Sequence, residues 1–132
     1  MPHAHLSVLL VEDDEVVRTG MRFALQLAQI QVFEAASVSE GLRGFLLHTP
    51  DMAVIDLHLP DGTGYELALS LWQLRPLLPL VMISADFTAG GTPPPRSRDD
   101  RPLALLAKPF SSSELLDAIS RATAPTKLCP KA

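Results

Sequence analysis

Five polar side chains stand at or directly after the ends of short apolar runs, and together they could carry out phosphoryl transfer. They are three acids, a hydroxyl and an ammonium group, namely Glu12, Asp13, Asp56, Ser84 and Lys108. Carboxylates and waters suit Mg²⁺, which takes one or two protein carboxylates and shares phosphate oxygens, and ligand type alone leaves Mn²⁺ as an alternative. A nucleophile, a cation and a hydrogen-bond donor complete the requirements of such a reaction. The fold must therefore bring these five side chains together.

Taken singly, each of these residues has an ordinary structural explanation. Asp13 or Asp14 can cap the N-terminus of a following helix, where negative charge is favourable. Ser84 can be a strand-end hydroxyl bonded to backbone, and Lys108 alone is most often a solvated surface charge. The chemical interpretation depends on whether the strands that carry these residues end at a common edge.

The sequence predicts five short strands separated by amphipathic helices. Each run is apolar and too short for a typical helix. The predicted strands are Leu6–Val11, Ile30–Ala35, Met52–Ile55, Leu80–Ile83 and Leu103–Ala107. Two capping-box patterns, S-x-x-E, begin at Ser37 and Ser111 and predict the starts of two of the helices.

Strands that alternate with helices favour a parallel sheet covered on both faces. In such sheets ligands bind outside the carboxyl ends of the strands, where the winding changes direction. Three carboxylates at that edge would repel one another, by about 4 kcal/mol for a pair ~4 Å apart at an effective dielectric of about 20. A bound cation and Lys108 would relieve this repulsion.

The segment 87–102 interrupts the alternation of strands and helices. Its sequence, FTAGGTPPPRSRDDRP, stands where another helix is expected. Two adjacent glycines and three consecutive prolines are incompatible with a helical interior, so the segment is predicted to be a loop. We therefore predict one domain over residues 1–124, with this irregular segment in place of a fourth helix, and a tail or linker over residues 125–132.

Length and composition indicate a single soluble domain. The chain has 132 residues, 47% of them apolar, a net charge of −4 and one cysteine, Cys129. That size suffices for a core without disulfides, and no apolar run reaches the roughly 18 residues of a membrane span. The acidic balance gives no basic surface for nucleic acid, and the N-terminus lacks the features of a secretory signal. These observations favour a cytoplasmic protein that binds neither membrane nor nucleic acid directly.

Four stretches together resemble the response-regulator receiver domains of two-component signalling, the CheY-like superfamily. They are VLLVEDDE, VIDLHLPDGTGYEL, MISA and AKPFSSSELL, in the order and approximate spacing of that family, and the resemblance extends from Leu6 to Ala122. It implies a flavodoxin-like, doubly wound α/β fold with five parallel strands in the order 2-1-3-4-5. It also implies a signalling domain that a sensor histidine kinase or phosphotransfer protein phosphorylates. Its own catalysis would be limited to self-phosphorylation and autodephosphorylation.

The resemblance implies a role in phosphorylation for three residues of the predicted edge. Asp56 would accept the phosphoryl group from a phosphohistidine of the kinase. Ser84 would donate a hydrogen bond to the phosphoryl oxygens, and Lys108 would pair with them. A cis peptide bond between Lys108 and Pro109 is also usual in such domains.

The resemblance further implies a metal site and two modulating residues. Asp13 and Asp56 would bind Mg²⁺ directly, and Glu12 would bind it through water. The backbone carbonyl of His58 would be a further ligand. The side chains of His58 and Asp86 flank the phosphoryl site in this family and would set the lifetime of the phosphorylated state.

Two departures from the family leave a second function open. Leu105 occupies the switch position of strand five, which is usually aromatic and moves with the strand-four hydroxyl on phosphorylation, and the segment 87–102 replaces a helix of the output face. The alternative is a constitutive protein-interaction or dimerisation module with a lost or altered switch. Without that helix, Leu103 and Leu105 are predicted to present an apolar face of strands four and five to a partner or second copy. A hydrolase of small phosphate esters is disfavoured, because the sequence offers no evident substrate-pocket residues.

Overall fold

The computed structural model describes residues 6–85 and 103–123, which form seven strands and four helices. The strands are β1 Ser7–Val11, β2 Gln31–Ala35, β3 Met52–Asp56, β4 His58–Leu59, β5 Gly62–Thr63, β6 Leu80–Ser84 and β7 Leu103–Ala107. The helices are α1 Glu15–Leu27, α2 Val38–His48, α3 Gly64–Leu74 and α4 Ser112–Thr123. All five predicted strands are present, with bounds that differ from the prediction by at most one residue at either end.

Five of the strands form one parallel sheet in the order β2-β1-β3-β6-β7. This confirms the predicted doubly wound order 2-1-3-4-5, because the two-residue strands β4 and β5 form a separate antiparallel hairpin after β3. The central strands β3 and β6 are buried along their whole length, whereas β2 at the end of the sheet has exposed residues. A central parallel strand is covered on both faces, so its sequence is continuously apolar.

The apolar core lies in two layers, one on each face of the sheet. Successive residues of a strand point to opposite faces, so Val8 and Leu10 of β1 pack in one layer and Leu9 and Val11 in the other. Helices α1 and α4 supply the first layer with Met21, Leu25, Leu115 and Ile119. Helices α2 and α3 supply the second layer with Phe45, Leu67, Leu71 and Trp72.

Side-chain caps fix where the helices begin. Asp14 is the N-cap of α1 and accepts hydrogen bonds from the backbone N–H groups of Val16 and Val17. The capping box predicted at Ser111 is complete, because the serine hydroxyl and the Glu114 carboxylate each accept from the other residue's backbone N–H.

The capping box predicted at Ser37 is only half formed. The serine hydroxyl accepts from the N–H of Glu40, but the Glu40 carboxylate accepts from the N–H of Ala36 and not from that of Ser37. The local sequence thus predicted the start of α2 correctly but not the second bond of its cap.

Several predictions fall outside the residues that the structure describes. These are the irregular segment 87–102, the modulating residue Asp86 and the tail 125–132, so the domain bounds 1–124 stay a prediction. Leu103 and Leu105 lie within β7 and are partly buried against the core layer of α2 and α3. None of the helices in residues 6–85 and 103–123 has the length and apolar character needed to span a membrane.

Candidate functional site

The carboxyl ends of β1, β3, β6 and β7 meet at one edge of the sheet and carry the predicted site residues. Val11 pairs with Ile55, so Glu12 follows β1 at the level where Asp56 ends β3. Ser84 pairs with Ala107, and the backbone N–H of Lys108 donates to the Ser84 carbonyl oxygen at 3.1 Å. Strand register therefore sets the spacing of these side chains.

The ammonium group of Lys108 lies between two acids. Its Nζ is 3.0 Å from Oδ2 of Asp56 and 3.2 Å from Oε1 of Glu12. The second oxygen of each acid accepts from backbone, because Asp14 donates its N–H to Glu12 Oε2 and His58 donates its N–H to Asp56 Oδ1, both at 3.1 Å. Both carboxylates are thus fixed from two sides.

Asp13 completes a group of three acids at this edge. One carboxylate oxygen each from Glu12, Asp13 and Asp56 lies within 4.8 Å of the others. Glu12 and Asp56 are buried, with exposed fractions of 1% and 4%, whereas Asp13 is open to solvent. Hard oxygen donors that converge from two strand ends, with one side open, fit a divalent cation such as Mg²⁺ that keeps several waters.

The surroundings shift the proton affinities of Glu12 and Lys108. Burial raises the pKa of Glu12 to about 7, and the negative charge of Asp56 adds to this rise, against the lowering effect of the Asp14 N–H. Partial burial lowers the pKa of Lys108, but its bonds and charge pairing with Asp56 and Glu12 outweigh that effect and raise the pKa above its usual value. Lys108 therefore stays charged, and Glu12 holds its proton more tightly than a glutamate in water does.

The hairpin of β4 and β5 links the end of β3 to α3 by a close backbone approach at Gly64. The Gly64 N–H donates to the Leu57 carbonyl oxygen at 2.7 Å. A Cβ at position 64 would lie 2.5 Å from the carbonyl oxygen of Asp56 and 3.0 Å from Cα of Leu57. The third close atom is Cγ2 of Ile55, also at 3.0 Å. Only glycine fits here, because two of the three atoms belong to backbone and cannot move aside.

The same hairpin is tied to α2 by Asp61, which the sequence analysis missed. Its carboxylate accepts from the backbone N–H groups of Val38 at 2.7 Å and Ser39 at 3.1 Å. These two bonds hold the pKa of Asp61 below its usual value. Asp61 lies 23 residues along the chain from Val38, so no local pattern could have indicated the contact.

The remaining predicted residues have different environments. Ser84 is fully buried at the end of β6, and His58 is exposed in β4. Leu105 is half-buried in β7 opposite Met82. The peptide bond between Lys108 and Pro109 is cis, as the resemblance implied.

Comparison with known proteins identifies the family to which this fold and this group of site residues belong. Residues 8–120 match the response regulator receiver domain family, and the chain belongs to it. The chain is 33% identical over 117 residues to the KDP operon transcriptional regulatory protein KdpE of Escherichia coli. This alignment covers 83% of this chain and 47% of KdpE. It is 31% identical over 116 residues to the transcriptional regulatory protein PdtaR of Mycobacterium tuberculosis, covering 87% of this chain and 55% of PdtaR.

A solved structure agrees in fold. The non-phosphorylated HemR receiver domain from Leptospira biflexa superimposes with a TM-score of 0.74 at 27% identity and covers 91% of this chain and 95% of that one. By contrast, the chain spans only about half the length of KdpE and PdtaR. The comparisons therefore define a receiver domain of the response-regulator family, which is a signalling domain.

Proposed function

We propose that this chain is the phosphorylation-switched receiver of a two-component phosphorelay, with Asp56 as the phosphoacceptor. The observation that carries the proposal is the buried Asp56 carboxylate, which has Lys108 Nζ at 3.0 Å and two further acids within 4.8 Å. The phosphoryl donor would be a phosphohistidine on a sensor histidine kinase or phosphotransfer protein. We place the domain in the cytoplasm, the usual location of this family, and assign it no direct contact with nucleic acid or membrane.

In the transfer step, a carboxylate oxygen of Asp56 attacks the phosphorus of the donor phosphohistidine. An O–P bond forms, the N–P bond breaks and the electron pair returns to the imidazole, which leaves an acyl phosphate on Asp56. The positive charge of Lys108 and the hydroxyl of Ser84 would stabilise the transferred oxygens. Water later attacks the phosphorus, the bond between phosphorus and the Asp56 oxygen breaks, and inorganic phosphate leaves with the Asp56 carboxylate restored. The domain's own catalysis would consist of self-phosphorylation and autodephosphorylation.

The acid cluster supports a divalent metal, Mg²⁺ with Mn²⁺ as the alternative. Asp13, Asp56 and the backbone carbonyl of His58 would hold it directly, and Glu12 would hold it through water. When bound, the ion would neutralise charge on the phosphoryl oxygens. The exposed imidazole of His58, together with Asp86, would bear on the attacking water and so set the lifetime of the acyl phosphate.

The second candidate is a constitutive interaction or dimerisation module that uses the face of β6 and β7. Leucine at position 105 favours it, because an aromatic side chain is usual at this switch position and Leu105 is half-buried. In such a module this face would bind its partner or a second copy whether or not a phosphodonor is present. Incubation with a phosphodonor separates the two candidates, because a wild type that takes up no phosphoryl group favours the module.

Incubation with a small phosphodonor and Mg²⁺, followed by mass measurement, tests the main proposal. We expect the wild type to gain the mass of one phosphoryl group and Asp56→Ala to gain none. Asp117→Asn is the matched control, because Asp117 is an exposed acid of α4 paired with Arg121 and should leave the gain intact. A wild type that takes up no phosphoryl group, or an Asp56→Ala protein that does, would reject the proposal.

A further inference from the structure

Arg18 reaches from the first half of α1 back to the loop that carries the acids. Its Nη1 donates to the backbone carbonyl oxygen of Glu12 at 2.8 Å, and its Nε donates to Oε1 of Glu34 in β2 at 2.9 Å. The side chain is largely buried, with an exposed fraction of 18%. The planar guanidinium thus spans two acceptors with two separate N–H groups, which a lysine could not match in one fixed geometry.

Arg18 binds the carbonyl group of Glu12, and the N–H group of the same residue is also hydrogen-bonded. The N–H of Glu12 donates to the carbonyl oxygen of Ala35 at 3.0 Å, so the residue is bonded to β2 on its amide side. The carbonyl of Glu12 and the N–H of Asp13 belong to one planar unit. Arg18 therefore fixes the orientation of the peptide unit that joins Glu12 to Asp13.

We propose that Arg18 is a positioning residue that holds the Glu12–Asp14 loop so that the carboxylates of Glu12 and Asp13 face Asp56. The inference rests on the proposed function, because it gives the loop its purpose as a divalent-cation site. Arg18 acts through the backbone of Glu12 and touches neither the acceptor carboxylate nor any reacting atom. Removing it should let the loop rotate and weaken cation binding.

The sign of the effect separates positioning from simple charge. A cation near a metal site repels the metal, so loss of the Arg18 charge alone would tighten Mg²⁺ binding. Loss of a residue that orients metal ligands has the opposite effect and typically costs 10–100-fold in affinity. Weaker binding by an Arg18→Gln protein can therefore not be an electrostatic consequence of the missing charge.

Arg22 provides a matched control on the same helix. It lies one turn further along α1, and its Nε pairs with Oε2 of the same Glu34 at 3.1 Å. Within the described residues its ion pair is with Glu34, not with the Glu12–Asp14 loop. In the described part of the chain, Arg22 Nε forms this ion pair without a hydrogen bond of its own. Arg22→Gln thus removes an equal charge from beside the same Glu34 carboxylate but spares the contact with the Glu12 carbonyl.

The test compares Mg²⁺ affinity by titration calorimetry for the wild type, Arg18→Gln and Arg22→Gln, with Asp13→Asn as the reference for a lost ligand. We expect the affinity of Arg18→Gln to fall about 10-fold and that of Arg22→Gln to stay within about twofold of the wild type. Hydrogen exchange without metal supplies an independent readout. The amides of Asp13 and Asp14 should exchange faster in Arg18→Gln than in Arg22→Gln.

Equal affinity in the wild type and Arg18→Gln, tighter binding by Arg18→Gln, or an equal loss in both arginine variants would each overturn the role of Arg18. Failure of the wild type itself to bind Mg²⁺ would overturn the proposed function, because that function requires a divalent cation at the acid cluster. The wild-type titration therefore distinguishes failure of the proposed function from failure of the inference about Arg18.

Discussion

Replacing Gly64 by alanine tests whether the close backbone approach after β3 holds the phosphoacceptor in place. The new Cβ would lie 2.5 Å from the carbonyl oxygen of Asp56 and 3.0 Å from Cα of Leu57, whereas ordinary Cβ contacts begin near 3.4 Å. Neither atom can rotate away, because both are backbone. The end of β3 and the start of α3 must therefore separate by about 0.9 Å.

A displacement of that size should be costly for the reaction. Misplacing a reacting group by about 1 Å can cost about 10²-fold in rate, so we expect phosphorylation of Gly64→Ala by a small phosphodonor to slow about 100-fold. A time course of phosphoryl gain by mass spectrometry measures the rate. Overpacking at a buried contact should also lower the free energy of unfolding by about 1–3 kcal/mol, measured by urea denaturation.

Gly20→Ala is the matched control for this substitution. Gly20 lies in α1, and a Cβ built there meets nothing within 4 Å. Alanine in an exposed helix interior should raise the free energy of unfolding by about 0.5–1 kcal/mol and leave phosphorylation unchanged. If folded Gly64→Ala is phosphorylated at the wild-type rate, the contact between Gly64 and β3 does not position Asp56.

Three further predictions concern the charged groups around the site. Glu12 holds a proton more tightly in the folded state than in the unfolded state. In the absence of metal, its contribution to the free energy of unfolding should therefore be greatest below pH 4.5 and should fall as the pH rises to about 7. The free energy of unfolding of Glu12→Gln, from thermal unfolding in a chelator, should vary less with pH than that of the wild type, by up to about 3 kcal/mol. Parallel pH profiles would contradict the raised pKa of Glu12. Lys108→Ala leaves two buried acids without their cation and should lose about 3 kcal/mol of unfolding free energy at pH 8, with added Mg²⁺ restoring part of it. An unchanged urea midpoint would show that Lys108 does not stabilise the pair. Asp61→Ala removes two acceptors from the start of α2 and should speed hydrogen exchange at Val38 and Ser39, whereas Asp61→Asn keeps one acceptor oxygen and should exchange more slowly than the alanine variant. Identical exchange in wild type and Asp61→Ala would remove Asp61 as the link between the hairpin and α2.

The sheet could be predicted from the sequence because its signals are local. Buried parallel strands appear as short apolar runs, and period-two alternation divides their residues between two faces. In β7, Leu103 and Leu105 lie in one core layer, and Ala104 and Leu106 lie in the other. The alternation was therefore predicted correctly, although Leu103 and Leu105 are partly buried and not fully exposed.

The contacts that organise the candidate site could not be predicted, because they join distant parts of the chain. Lys108 and Glu12 are 96 residues apart, and strand register brings them within 3.2 Å. The residue types at the strand ends indicated which side chains would meet, but not which oxygen of each acid would face the lysine. The carbonyl contact of Arg18 has no sequence signature, since any residue supplies a backbone acceptor.

The same limit applies to α2. Its local S-x-x-E pattern predicted a self-contained cap, yet two of its first N–H groups are bonded by Asp61 from the hairpin. A helix start needs acceptors for its unpaired N–H groups, and local sequence does not specify which segment supplies them.

Mapping the phosphorylated residue is the decisive test of Asp56 as the phosphoacceptor. After incubation with a small phosphodonor and Mg²⁺, fragmentation of the intact protein should assign the added phosphoryl group to Asp56. The gain should disappear when a chelator replaces the metal. A phosphoryl group on a different residue would exclude Asp56 as the phosphoacceptor, and uptake that does not depend on a divalent cation would exclude the proposed metal site.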